Sequence, residues 1–298
     1  SPTYKASATW QDGYHVGATW TIIGHDAAAK AVRIGEQVVS RVSSLLAKSG
    51  SAPFTETSIE VIGAESSYGS NSRALGAREV VLKIAAKHDD PKALELLVRE
   101  FTSAGTSMAP GFTGMGGNRP KVMPLVRLFS LAVDKALVDG QVHAEVDGQN
   151  VSIPTTGTSP PYSIDAAAAT TEPEGASDAA DLTTVPLIEL AWGRSGDKGN
   201  HANIGIVARR PEYLHYIKRA LQPELVAKLF EHYGPAEVKR FDLPGIQGLN
   251  FMLYDVLGGG GIASLRNDPQ GKGYAQILLG VEIPVPVGVV GVIAPWNY

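Results

Sequence analysis

Residues 192–203 (Trp192, Gly193, Arg194, Ser195, Gly196, Asp197, Lys198, Gly199, Asn200, His201, Ala202 and Asn203) set two cations, a carboxylate, an imidazole and several amide or hydroxyl groups among three glycines. Gly193, Gly196 and Gly199 allow successive backbone N–H groups to turn toward one point, and Arg194 and Lys198 add positive charge to that concavity. Phosphate or carboxylate is the natural ligand, with Ser195, Asn200 and Asn203 as further hydrogen-bonding groups. Asp197 can orient Lys198 or take part in proton transfer, and His201 is the nearby side chain that ordinarily titrates close to neutral pH. The plainer alternative is a turn whose polar residues satisfy one another and the strand ends.

A second segment, residues 258–272, repeats this chemistry. Gly258 to Gly261 are four successive glycines, which suggest either a close backbone approach or a mobile lid. Arg266, Asn267 and Lys272 follow as anion-binding groups and Asp268 as a second catalytic acid. The two segments are expected to meet at one face of a single domain. A third glycine-rich stretch, residues 105–120, contributes Arg119, either as an anion ligand or as part of a plain connection. The histidines are scattered without a His-x-x-x-His pair, so no metal site is expected.

These residues need elements to hold them. The largely apolar run 186–191 before the first segment and the run 204–208 after it predict a polar loop between two strands. Helical stretches follow over 211–221 and from Pro223 to near Gly234, then a strand at 238–241, a short helix over 249–257 and a closing strand over 274–285. Helices on one face of a mostly antiparallel sheet make a ferredoxin-like pattern. Upstream, residues 4–10 and 14–23 read as two strands joined in a hairpin by Asp12-Gly13. Asp26 is expected to cap a helix to about Lys48, with Gly50 as its stop. A strand at 58–63, a strand or short helix at 79–84, a helix from Pro91 and strands at 122–130 and 142–153, the last turning at Asp147-Gly148, complete this part.

The fold class is therefore α+β with two domains: residues 1–153, a linker over 154–185 rich in Pro, Thr, Ser, Ala and acids, a ferredoxin-like domain over 186–285, and a tail over 286–298. With 298 residues and 44% apolar content, the chain can bury substantial cores. Its formal charge of −4 comes from mixed signs without a basic stripe, so nucleic acid is not an expected partner. The absence of cysteine excludes disulfides, zinc–thiolate sites and a thiol nucleophile. No stretch suits a bilayer span and no targeting segment stands at the start, so a cytoplasmic chain with no membrane partner is expected.

In residues 190–203 and 264–272 the sequence resembles the acyclic terpene utilisation protein A family, in its C-terminal ferredoxin-fold domain. Asp12-Gly13-Tyr14 and the helix after it are similar to the end of that family's larger N-terminal domain, whose long opening α/β portion has no counterpart here. The tail is similar to an early strand and turn of aldehyde dehydrogenases, and is read as a fusion junction or a chance apolar strand. The first resemblance implies a place in the breakdown of branched acyl-CoA thioesters derived from terpenes. With anion-binding and acid/base groups but no redox or thiol machinery, the expected function is acyl-CoA handling of a hydratase or dehydratase type. The CoA thioester would then be substrate and no cofactor would be needed. The alternative is a non-catalytic docking or assembly module of an acyl-CoA carboxylase or dehydrogenase system. A homo-oligomer, or a missing N-terminal portion, is a further expectation.

Overall fold

The computed structural model describes residues 2–115, 119–153 and 181–287. Its first element is one strand of 21 residues, β1 (Thr3–Ile23), where the sequence suggests two strands in a hairpin. Gly13 does take the positive φ of 76° that Asp-Gly favours. The register nevertheless slips between Gln11 and Tyr14, so the dipeptide forms a bulge in a continuous strand. Residues 14–23 pair with β3 and residues 3–11 with β5, so two different partners hold the two halves in line.

Helix α1 (Ala27–Lys48) starts where expected, but Asp26 has a left-handed φ of 56° and makes no side-chain cap. Ala27, Ala28, Ala31 and Gly35 form its buried face. Small residues are needed there, since a Cβ at Gly35 would stand 2.6 Å from Ile59 Cγ2. Strands β2 (Glu56–Ile62) and β3 (Glu79–His88) follow, which settles residues 79–84 as strand. Helix α2 (Pro91–Ser107) opens with Pro91 in its first turn and Asp90 accepting from Lys92 N at 2.9 Å. The segment read as a loop contains β4 (Phe112–Met115), paired with β1. Strands β5 (Met123–Asp134), β6 (His143–Val146) and β7 (Gln149–Ser152) follow, and β6 and β7 form the hairpin expected at Asp147-Gly148. The first sheet runs β2-β3-β1-β4, with β5 also on β1, and α1 and α2 bury their apolar faces against it in one core.

Residues 154–180 of the expected linker lie outside the described residues; its last part forms β8 (Leu182–Pro186). The expected strand at Leu187 is the single helical turn α3 (Leu187–Leu190). The polar stretch is no loop, for it makes up β9 (Ala191–Lys198) and the start of β10 (His201–Ala208), joined at Gly199-Asn200. Helices α4 (Leu214–Ala220) and α5 (Pro223–Leu229) lead to β11 (Glu237–Leu243). The expected helix over 249–257 is instead β12 (Gly248–Tyr254), with Leu249, Phe251 and Leu253 alternating into the core. The expected closing strand is the helix α6 (Tyr274–Leu279) followed by β13 (Glu282–Pro286).

The second sheet is antiparallel in the order β11-β12-β10-β9, with α4, α5 and α6 sharing one core with one of its faces. Strand β13 does not close it but pairs with β8, and β9 takes the edge beside β10. Among the described residues, no helix is long and apolar enough to cross a membrane.

Candidate functional site

Strand alternation sorts the polar stretch between two faces. Asp197 pairs with buried Ala202 and Ser195 with buried Ile204, so both belong to the helix-covered side. Arg194, Gly196 and Lys198 stand opposite Gly205, Asn203 and His201 on the outer side. The concavity expected from three glycines does not form, because only Gly199 has a positive φ. Gly193 is confined for another reason: a Cβ there would lie 3.0 Å from Ile206 Cδ1 and 3.2 Å from Leu279.

On the outer side, Arg194 and Lys198 flank Gly196 at a strand spacing of about 7 Å. Lys272 reaches the same point from the second segment, since a Cβ at Gly196 would be 3.1 Å from its Nζ. Three cations thus share the outer side at Gly196, and Lys272 is the one that comes within 4 Å of it. Among the described residues none of the three has a carboxylate partner, and Lys198 Nζ donates only to Asp197 O at 3.2 Å and Asn203 Oδ1 at 3.4 Å. Asn203 Nδ2 in turn donates to Asn250 Oδ1 at 3.2 Å.

His201 Nδ1 accepts the backbone N–H of Asp255 at 3.0 Å, while Asp255 Oδ1 lies 3.5 Å from the same nitrogen. One nitrogen cannot accept the N–H and donate to the carboxylate together, and the shorter bond decides for acceptance. In the neutral ring Nε2 therefore carries the hydrogen. The ring sits edge-on to Tyr254 at 5.1 Å.

The two segments touch, but not at one shared face as expected, since Arg266 and Lys198 lie on opposite sides of the sheet, and their contacts mainly build structure. Ser195 Oγ donates to Lys272 O at 3.0 Å and accepts from Ala275 N at 2.9 Å, tying the edge strand to α6. Asp268 spends both oxygens on backbone donors just ahead of α6, Lys272 N at 2.9 Å and Gly273 N at 2.7 Å. Asn200 accepts from Gly259 N at 2.7 Å and donates to Asp255 Oδ1 at 3.1 Å. Close approach explains the glycine run, for a Cβ at Gly260 would lie 2.9 Å from Gly199 O.

Arg266 departs from the expected anion site. It stacks over Tyr233 at 4.4 Å, donates to Val256 O, and bonds Tyr233 O at 3.3 Å and Tyr274 Oη at 3.5 Å. Tyr274 belongs to the helix-side core, so Arg266 and Lys198 point to opposite faces of the sheet. Asn267 is exposed. Arg119 lies elsewhere, in a groove against α2 with Lys92, Arg99 and Lys121.

A charged seam between the two sheets went unread in the sequence. Lys83 Nζ bonds Glu60 at 3.0 Å and Leu265 O at 2.8 Å, while buried Lys87 pairs with Glu56 at 2.5 Å and reaches Gly258 O at 3.5 Å. Two lysines inside the apolar run of β3 were the available signal. Burial, and then the Lys87 charge, lower the pKa of His15. Burial also lowers that of His232, whose Nε2 is 3.0 Å from Ser67 O, and raises those of Tyr233 and Tyr274. A pocket of about 480 Å³, lined by Tyr68, Arg73, Leu229, Ile277 and Val281 among others, opens at this boundary and includes none of the residues picked from the sequence. Among the described residues, no group of three or more His, Asp or Glu side chains is placed to hold a metal ion.

Residues 1–144 match the family model described as acyclic terpene utilisation family protein AtuA, and residues 185–284 match the AtuA ferredoxin-like domain. The match therefore extends well beyond the C-terminal segments that suggested it. No curated protein and no solved structure matches the chain. The aldehyde dehydrogenase-like tail falls mainly on residues 288–298, outside the described residues.

Proposed function

The chain belongs to the acyclic terpene utilisation family, and on that premise we propose that it handles an acyl-CoA thioester of branched or terpenoid acid breakdown. One observation carries the reading: Arg194 and Lys198 share the outer sheet face at Gly196 with Lys272, and none of the three has a carboxylate partner among the described residues. Like charges brought together at an unfilled position gain from a polyanion, and CoA supplies one in its phosphates. Beside them the Asn203–Asn250 pair and the apolar bodies of Met252, Tyr254 and Phe241 follow across the same face in register, bordered by Glu237 and Lys239, which pair with each other at 3.0 Å. A ligand anionic at one end and apolar at the other suits that order.

Among the groups assigned to proton transfer, Asp268 is occupied by backbone donors and Asp197 stands on the other face. His201 remains, and with Nδ1 engaged its Nε2–H is a donor to a thioester oxygen. A hydratase or dehydratase reaction at this face would use it to polarise the carbonyl. Incubation with a branched 2-enoyl-CoA tests this, read by loss of the conjugated-thioester absorbance and a product heavier by one water. The hydrated product should form with the intact chain and be lost in His201→Ala. A thioester that binds but stays unchanged in the intact chain rules out the lyase reading.

A further inference from the structure

Beyond Gln11 the long strand leaves the first sheet and forms, with β5, a two-stranded ribbon in which Tyr4 pairs with Val133, Ala6 with Leu131, Ala8 with Phe129 and Trp10 with Arg127. Alternation makes this ribbon amphipathic. One face carries Tyr4, Ala6, Ala8, Trp10, Phe129, Leu131 and Val133 with Arg127, while the other is mixed, with Thr3, Lys5, Ser7, Thr9, Asp134 and Ser130 beside Ala132, Leu128 and Val126. In water such a ribbon should cover its apolar face, yet Trp10 is 45% and Phe129 53% exposed. The two rings meet edge to face at 6.5 Å, so they are ordered as well as open.

The β6–β7 hairpin that follows also shows its apolar residues, among them Val146 and Val151. On the ribbon's apolar face the large side chains Tyr4, Trp10, Phe129 and Leu131 are all exposed. An isolated two-stranded element is marginal without something packed on it. The bulge at Asp12-Gly13 makes the arrangement specific, because one extra residue moves Tyr4 and Trp10 to the face opposite Tyr14 and Val16, which lie on the core side. Without it this face would continue the side covered by α1 and α2.

We propose that this ribbon face is the contact with a second copy of the chain, packed ribbon on ribbon about a two-fold axis. The uncovered parts of Tyr4, Ala8, Trp10, Phe129 and Leu131 on this face amount to roughly 500 Å², a patch of functional size and the larger part of the roughly 800 Å² that each partner buries in a standard interface. The face also suits its own copy electrostatically. Arg127, its one cation in register, is already paired with Asp12, and Lys135 lies over the Tyr4 ring at 5.0 Å at the far end. Between them the face is uncharged, so superposing two copies brings no like charges together. An isologous contact then needs only one patch.

The test is the mass of the intact chain in solution, followed from submicromolar to tens of micromolar by sedimentation. A dimer is expected, with Phe129→Asp and Leu131→Asp raising its dissociation constant ~30-fold or more, as for hot-spot residues, and Ser130→Asp on the other face leaving it unchanged. Because the chain has no cysteine, a single introduced thiol gives an independent reading that needs no damaged face. Ala8→Cys should cross-link into a covalent dimer under mild oxidation, and Ser7→Cys should not. A monomer throughout the range, a dimer indifferent to the two aspartates, equal cross-linking at both positions, or monomers that instead bind neutral lipid vesicles would each overturn the proposal.

Discussion

Replacing Arg266 by Met separates a residue that holds the protein together from one that holds its ligand. The sequence places Arg266 with the anion-binding groups, whereas its guanidinium is spent on Val256 O, Tyr233 O, the Tyr274 hydroxyl and the face of Tyr233. A hydrogen bond involving a charged group contributes ~1.5–3 kcal/mol and a cation–π contact ~0.5–2 kcal/mol. The longer bonds count for less, and methionine keeps part of the stacking area, so the expected net loss is ~2–4 kcal/mol. For a chain of this size that is a fall in Tm of ~3–6 °C. Differential scanning calorimetry and urea unfolding should agree on it, and Arg266→Lys should recover little, since an ammonium cannot form the planar fork. Anion affinity measured below the lowered Tm should stay within about twofold. A Tm unchanged within 1 °C, or a tenfold loss of anion binding at full stability, would refute the assignment of Arg266 to the tyrosines on the helix side of the second sheet.

Gly196→Ala should leave Tm nearly unchanged, since its new Cβ meets only the flexible end of Lys272 at 3.1 Å, but should weaken anion binding several-fold by displacing that ammonium; isothermal titration on the two proteins decides. Gly13→Ala should cost ~1–2 kcal/mol in urea unfolding, because φ is 76° and the Cβ would sit 3.0 Å from His88 O. The pKa of His232 and of His15 is lowered chiefly by burial, so the unfolded chain binds more protons as pH falls through the ordinary histidine range. Stability should therefore be full above that range and decline as pH drops toward 5.5, with His232→Gln flattening part of the decline in Tm against pH; an unaltered slope would remove His232 from the cause.

The sequence made some elements plain and hid others for identifiable reasons. Asp147-Gly148 makes the hairpin it promises, both residues having positive φ. Asp12-Gly13 has the same chemistry but lies where one strand passes from one partner to another, and pairing at a distance decides that outcome. Residues 192–203 read as a loop because each face of β9 carries polar groups and glycine, while the alternation of Ala202, Ile204 and Ile206 in β10 begins only at the end of that stretch. In β12 the alternation of Leu249, Phe251 and Leu253 was present and should have outweighed helix propensity. The run 274–279 is nearly all buried and carries no period that separates helix from strand. For the site, residue types pointed to the right neighbourhood. Roles depended on direction: Asp268 and Ser195 turn to backbone groups around α6, Arg266 turns to the tyrosines, and Lys272 crosses the strand edge to join Arg194 and Lys198.

The most direct test of the central claim is titration calorimetry of an acyl-CoA into the intact chain and into Lys198→Met, with Tm measured on both. Saturable binding to the intact chain is expected, weakened by ~1.5–3 kcal/mol, or roughly ten- to a hundredfold, in the variant. Its Tm should hold, because a surface change of this kind stays within about 0.5 kcal/mol. No heat of binding up to millimolar thioester, or equal affinity in the two proteins, would contradict an acyl-CoA site built on these three cations.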